Sequence, residues 1–164
     1  MTGIEWLFQR RSIRKYHNTP VEDDKIELLL QAGMAAPSAK NKRPWHFVVI
    51  KDRGTLEAIR RIHPYASMLA EAPLAIAVCG NHREPFWVQD CSAAMQNILL
   101  AATSLGLGSV WLGVYPKEDL VKEVTGFLSL EPPYTPLGLA AIGYPAEDKP
   151  PKDLFESDKM TVIQ

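Results

Sequence analysis

The stretch "PLAIAVCG" at 73–80 carries no charge, and its only polar group is the Cys79 thiol. A strand with one wet face would alternate apolar with polar residues. An unbroken apolar run of this length therefore reads as a strand buried on both faces, in a sheet with a layer of structure on either side. The next element, "VQDCSAAMQNILLAATSLGL", reads as the longest helix, over about 88–105. Apolar residues surround most of it, so it is expected to be central and packed on several sides. Gly106 and Gly108 are placed to stop it.

The other elements alternate around this pair. Residues 3–11 read as a short helix with Ile4, Leu7 and Phe8 on one face. After Pro20, the spacing of Ile26, Leu29, Leu30, Gly33 and Met34 predicts a helix ending near Ala36, because Pro37 disfavours a helical residue before it. "WHFVVIK" (45–51) reads as a strand. Thr55 is placed to cap a helix running to about Ile62, with Glu57 and Arg60 on its wet side. Strands are expected at 108–115 and 136–145, with a small helix at 117–126 closed by Gly126 between them. The tail from Ala146 is polar and proline-rich, and "MTVIQ" at its end is expected as a last short strand.

A chain of 164 residues without repeats or a Ser/Gly linker suits one domain, 1–164, of α/β or α+β class. The thirteen prolines mark element boundaries. A tail of this composition is not core material, and wrapping over a partner subunit accounts for it. Cys79 and Cys91 lie in no CxxC or Cys/His run, and His46, His63 and His82 show no ligand spacing, so neither a metal site nor a disulfide framework is expected. No apolar run reaches membrane-spanning length and the N-terminus lacks signal-peptide order, which sets the expectation of a cytoplasmic protein free of the membrane.

The net charge is −1, yet "QRRSIRKYHNTP" (9–20) gathers Arg10, Arg11, Arg14 and Lys15 within six residues. A nucleic-acid module would carry a larger overall excess, so no nucleic-acid partner is expected. Arginine offers a planar fork of donors that matches a phosphate, and the Ser12 hydroxyl adds another; a solvated basic surface is the plain alternative. "AAPSAKNKRPWHF" (35–47) is a polar loop between a helix and a strand, of the kind that positions binding groups.

Together, "RRSIRKY", "PSAKNKRPWHF", "WLGVYP" (111–116) and "IGYPAEDKPPK" (142–152) resemble, in order and spacing, the FMN-dependent nitroreductase family, in its short branch. The resemblance implies an α+β, three-layer fold, with a mixed, mainly antiparallel sheet flanked by helices, in an intertwined homodimer with two FMN sites at the interface. It assigns Arg10, Ser12 and the adjacent Arg11 to the FMN phosphate, and Arg14 to the pyrimidine edge of the ring. Pro37, Ser38, Ala39 and Asn41 match a loop laid against the flavin by the other subunit. Trp111, Leu112 and Gly113 match a segment whose backbone approaches the central ring, and Lys152 a basic residue returning to the phosphate. Three positions depart from the pattern: Arg43 stands where Gln is common, Ala39 where Ser is frequent, and Lys152 where Arg is usual.

The implied activity passes hydride from NADH or NADPH through FMN to a small organic acceptor, such as a nitroaromatic or quinone, by a ping-pong cycle. The flavin carries that chemistry, so no catalytic side chain is expected, and the chain has no GxSxG, HExxH or Walker loop. The alternative is a flavin-binding or electron-carrier protein of the same fold without turnover. Phe86 and Trp87 are expected either at the dimer interface, which is favoured, or over the substrate side of the ring.

Overall fold

The computed structural model describes residues 4–164. The expected first helix begins at residue 3, outside that range; its described part, α1, is Glu5–Gln9. There follow α2 (Asp23–Met34), β1 (Trp45–Ile50), α3 (Arg53–Ile62), β2 (Leu74–Asn81), α4 (Trp87–Ser104), β3 (Gly108–Gly113), α5 (Glu118–Phe127) and β4 (Tyr134–Gly143). The four strands form one antiparallel sheet in the order β1-β2-β4-β3. A parallel bridge from Ser12 to Ser109 makes it mixed.

The fully buried β2 lies inside the sheet, as its unbroken apolar run requires. Its even-numbered residues Leu74, Ile76 and Val78 join Ile26 and Leu29 of α2 and Met95 and Ile98 of α4 in one core cluster. The odd-numbered Ala75, Ala77 and Cys79 join Leu56 and Ile59 of α3 and Leu120 and Val124 of α5 in another. The alternation of side chains along one strand thus divides the core into two layers, and the class is three-layer α+β. Both cysteines are free and buried, and burial pushes each thiol up to about 12.

Four boundaries differ from expectation. Asp52, not Thr55, caps α3: its carboxylate accepts the Thr55 N–H at 2.7 Å and the Thr55 hydroxyl at 2.8 Å. Gly106, at φ 73°, ends α4 as expected, but Gly108 opens β3. Gly126 lies inside α5, and the left-handed residue beyond that helix is Ser129. Pro136 sits within β4 where the β2–β4 register shifts between Val78 and Cys79, and the irregularity absorbs the missing donor. Residues 160–164 form no strand; the whole of 150–164 is exposed, and an edge without a partner gives such a segment nothing to pair with.

Trp87 is a further correction. It packs inside its own chain, 7% exposed, against Gly80 and edge-on to Tyr115, rather than at a subunit boundary. Phe86, its neighbour, is exposed. Ile4, Leu7 and Phe8 of α1 also point outward, as do Leu154, Phe155, Val162 and Ile163 of the tail.

Candidate functional site

The cationic segment is fastened to the sheet from Ser12 to His17. Ile13 N–H donates to the Ser109 carbonyl at 3.0 Å, and His17 N–H to the Tyr144 carbonyl at 2.9 Å. The buried Tyr16 hydroxyl donates to the Ile13 carbonyl at 2.6 Å and lies 3.1 Å from the Ala141 carbonyl. Burial, and next the Glu147 charge, raise that phenol above its ordinary range, so it stays a donor. From the other side the strap 145–149 closes over it. Ala146 N–H donates to the Lys15 carbonyl, Arg14 N–H to the Glu147 carboxylate, and Lys149 Nζ to the Ser12 carbonyl at 2.7 Å.

Glu147 is held below its ordinary value of 4.5, first by the Arg14 N–H and then by Lys149. The unfolded chain therefore takes up this proton before the folded one does. The stabilisation is complete above about pH 4.5 and is lost as pH falls through the lower folded value. We expect exchange of the Arg14 amide with solvent to accelerate over that window in a hydrogen-exchange series, and Glu147→Gln to remove the acid-dependent part.

The fastened segment delivers two guanidiniums to one place. Arg10, Arg11 and Lys152 line a single cleft of about 560 Å³, walled by Leu7, Phe8 and Phe155. None of Arg10, Arg11, Arg14 and Lys152 forms an ion pair among the described residues, and the enclosed Arg11 Nε has no acceptor. Asp153 lines the same cleft, so three cations outnumber one carboxylate there, and the local potential still favours an anion. Ser12 does not line this cleft; it is held in the bridge to Ser109.

Trp111, Leu112 and Gly113 line a second cleft of about 350 Å³ together with His63, Tyr65 and Lys117. β3 is the outer strand, and Ser109 turns its carbonyl outward to Ile13. By antiparallel alternation Trp111 and Gly113 also turn their N–H and C=O groups away from β4. The Gly113 carbonyl is taken by His63 Nε2 at 2.9 Å. That leaves the Trp111 N–H and C=O and the Gly113 N–H open along the edge among the described residues. Gly138 makes room for the Trp111 indole: a Cβ there would stand 2.6 Å from Trp111 Nε1 and 2.7 Å from the Leu112 carbonyl.

The loop 37–41 lines neither cleft. It is built at the start of α4, where the buried Asp90 accepts the Ala39 N–H at 3.0 Å and Ser38 Oγ accepts the Arg43 N–H at 2.9 Å. Lys40, Asn41 and Arg43 all have left-handed backbone, at φ 52°, 54° and 47°. Within one chain, then, most residues expected at a flavin fall into three places, the cationic cleft, the open strand edge and a separate rigid loop, while Ser12 and Arg14 line neither cleft. A further cleft, about 680 Å³ around Tyr16, Pro20 and Glu71, includes none of them. There Lys51 pairs with Asp23, and Arg53 is taken up by the carbonyls of Leu69, Ala70 and Ala72.

Sequence reasoning missed Lys149, Asp90 and His63. Lys149 lies three residues from the basic position it singled out. Asp90 is the one charged residue of α4, which was its one available signal. His63 has no signal in sequence, since its partner is fifty residues away. No group of His, Cys, Asp and Glu suited to a metal occurs among the described residues, and no helix there is long and apolar enough to cross a membrane.

A model of the nitroreductase family matches residues 7–144. A Methanothermobacter thermautotrophicus protein, provisionally named NADH dehydrogenase/NAD(P)H nitroreductase, is 48% identical over 164 residues, covering 98% of this chain and 86% of its own. A Bacteroides thetaiotaomicron crystal structure under the same provisional name superposes with a TM-score of 0.97 at 45% identity, covering 100% of this chain and 98% of the other. A Desulfovibrio desulfuricans protein, provisionally a nitroreductase and crystallised in complex with FMN, has a TM-score of 0.80 at 30% identity, covering 94% and 93%.

Proposed function

Since the chain belongs to the nitroreductase family, we propose that it is an FMN-dependent oxidoreductase that passes hydride equivalents from NADH or NADPH to a small organic acceptor. The observation that carries this reading is the cleft in which Arg10, Arg11 and Lys152 stand together, outnumbering its one carboxylate, Asp153, and forming no ion pair among the described residues. The residues present fit the cofactor. The three cations suit its terminal phosphate dianion, with Lys152 acting as a point charge where an arginine fork would be bidentate. The open N–H groups at Trp111 and Gly113 suit the acceptor atoms of a planar heteroaromatic ring.

Bound FMN would supply the redox chemistry that links the nicotinamide donor to the acceptor. The protein's part is to hold, orient and polarise. Arg14, exposed beyond the Ser12–Ser109 bridge, places a cation that favours added negative charge on the ring. The loop of Pro37, Ser38, Ala39 and Asn41 serves the flavin of a second subunit, which explains why one chain keeps it apart from both clefts. Two copies then make two sites, and the outward apolar residues of α1 and of the tail are covered in the homodimer.

The test is the visible absorption spectrum of the purified protein, followed by anaerobic addition of NADH and then NADPH. Flavin bands that bleach with a nucleotide and return with a nitroaromatic or quinone establish the activity. Bands that no nucleotide bleaches reassign the chain as a flavin carrier. A colourless protein that takes up no added FMN overturns the reading.

A further inference from the structure

Among the described residues, the outer edge of β3 is clamped at two points. At its start, Ser109 is bridged to Ser12; at its end, His63 holds the Gly113 carbonyl. His63 is 4% exposed, and both of its ring nitrogens are used. Nδ1 lies 3.2 Å from the Tyr65 backbone nitrogen, and Nε2 lies 2.9 Å from the Gly113 oxygen. A backbone N–H only donates and a carbonyl only accepts. The geometry therefore fixes a neutral ring with its proton on Nε2, directed at Gly113. On the inner side, Val114 and Tyr115 N–H both donate to the Leu137 carbonyl at 3.1 Å. The peptide that ends the strand is thus gripped from both sides, and His63 supplies the whole of the outer grip.

We infer that His63 is a positioning residue which, through the Gly113 carbonyl, fixes the direction of the open Trp111 and Gly113 N–H groups toward the flavin ring. This rests on the functional reading given above for residues 111–113. His63 does not itself touch the ring in this account. Fixed donors stabilise an electron-rich ring more than mobile ones, because they need no reorganisation when charge arrives. Without the outer grip the Gly113 carbonyl becomes a competing, unsatisfied group at the same edge, and the donors beside it lose their alignment.

The experiment measures the affinity of the purified protein for oxidised FMN by fluorescence titration, and the midpoint potential of the bound flavin by anaerobic dye equilibration. The variants are His63→Leu, which fills the space without a donor, and His63→Gln, whose amide supplies one. We expect His63→Leu to lower the ratio of reduced-to-oxidised FMN affinity about tenfold, and His63→Gln to recover it to within about threefold of the parent. A His63→Leu protein that binds FMN with the parental ratio overturns the inference, even if its melting temperature has dropped, because His63 would then be packing alone. Where His63→Leu yields no folded protein, His63→Asn takes its place, since its amide is one methylene short of Gly113. Equal ratios in the Asn, Gln and parent proteins overturn the inference as well. A parent protein that takes up no FMN overturns both this inference and the functional reading, whereas FMN binding insensitive to residue 63 overturns only the former.

Discussion

Replacing Arg10 with alanine will raise the dissociation constant for FMN roughly a hundredfold, with an unchanged far-ultraviolet circular dichroism spectrum. Arg10 lines the cationic cleft, forms no ion pair among the described residues, and lies just beyond α1 in a segment fastened by backbone bonds. Its removal leaves those bonds in place. A charge-assisted hydrogen bond to a phosphate is worth about 2–3 kcal/mol, which sets the expected size. Arg11 is a less clean target, because its guanidinium stem is enclosed and truncation would also cost packing. Lys152→Ala should cost less than Arg10→Ala, since an exposed ammonium contributes charge without a fork. Lys122→Ala, exposed on α5, serves as the control. Flavin retained at parental occupancy in the Arg10→Ala protein would remove Arg10 from the phosphate site.

If the proposed homodimer holds, deletion of residues 150–164 will leave a folded, monomeric chain with little flavin. Every residue of that segment is exposed, so its removal takes almost nothing from the core of its own chain. It does take Lys152 from the cationic cleft, and with it Leu154, Phe155, Met160, Val162 and Ile163, all exposed apolar side chains. Their concentration on one segment fits burial against a second copy. Light scattering after size exclusion reads the mass, and absorbance reads the flavin. A shortened protein that remains a fully loaded dimer would assign both roles elsewhere.

The layers of this fold could be read from side-chain periodicity. The unbroken run before Gly80 required cover on two faces, and it found α2 and α4 on one side and α3 and α5 on the other. What failed was local and had local causes. Asp52 and Thr55 are both good caps three residues apart, and only the geometry of the turn decides between them. Pro136 looks like a boundary until a register shift makes room for it inside a strand. Trp87 looked like an interface anchor, because no sequence pattern shows that Gly80 leaves a gap of indole size on the neighbouring strand. For the site, charge clustering pointed to Arg10 and Arg11 and the family resemblance to Lys152, and all three line one cleft. Asp90 and His63 act by holding backbone groups far away in sequence, a kind of role that composition does not record.

The loop after α2 has a consequence for how this protein tolerates change. Lys40, Asn41 and Arg43 hold a backbone shape that glycine would adopt freely, at about 1–2 kcal/mol of steric cost each. Shape alone would be met by glycine there. The long or amide side chains at these positions are held in place at a steric cost. Glycine at position 40 or 43 is therefore the substitution most apt to raise the melting temperature while lowering turnover, placing the trade-off between robustness and performance in residues 40–43, beside the start of the long helix.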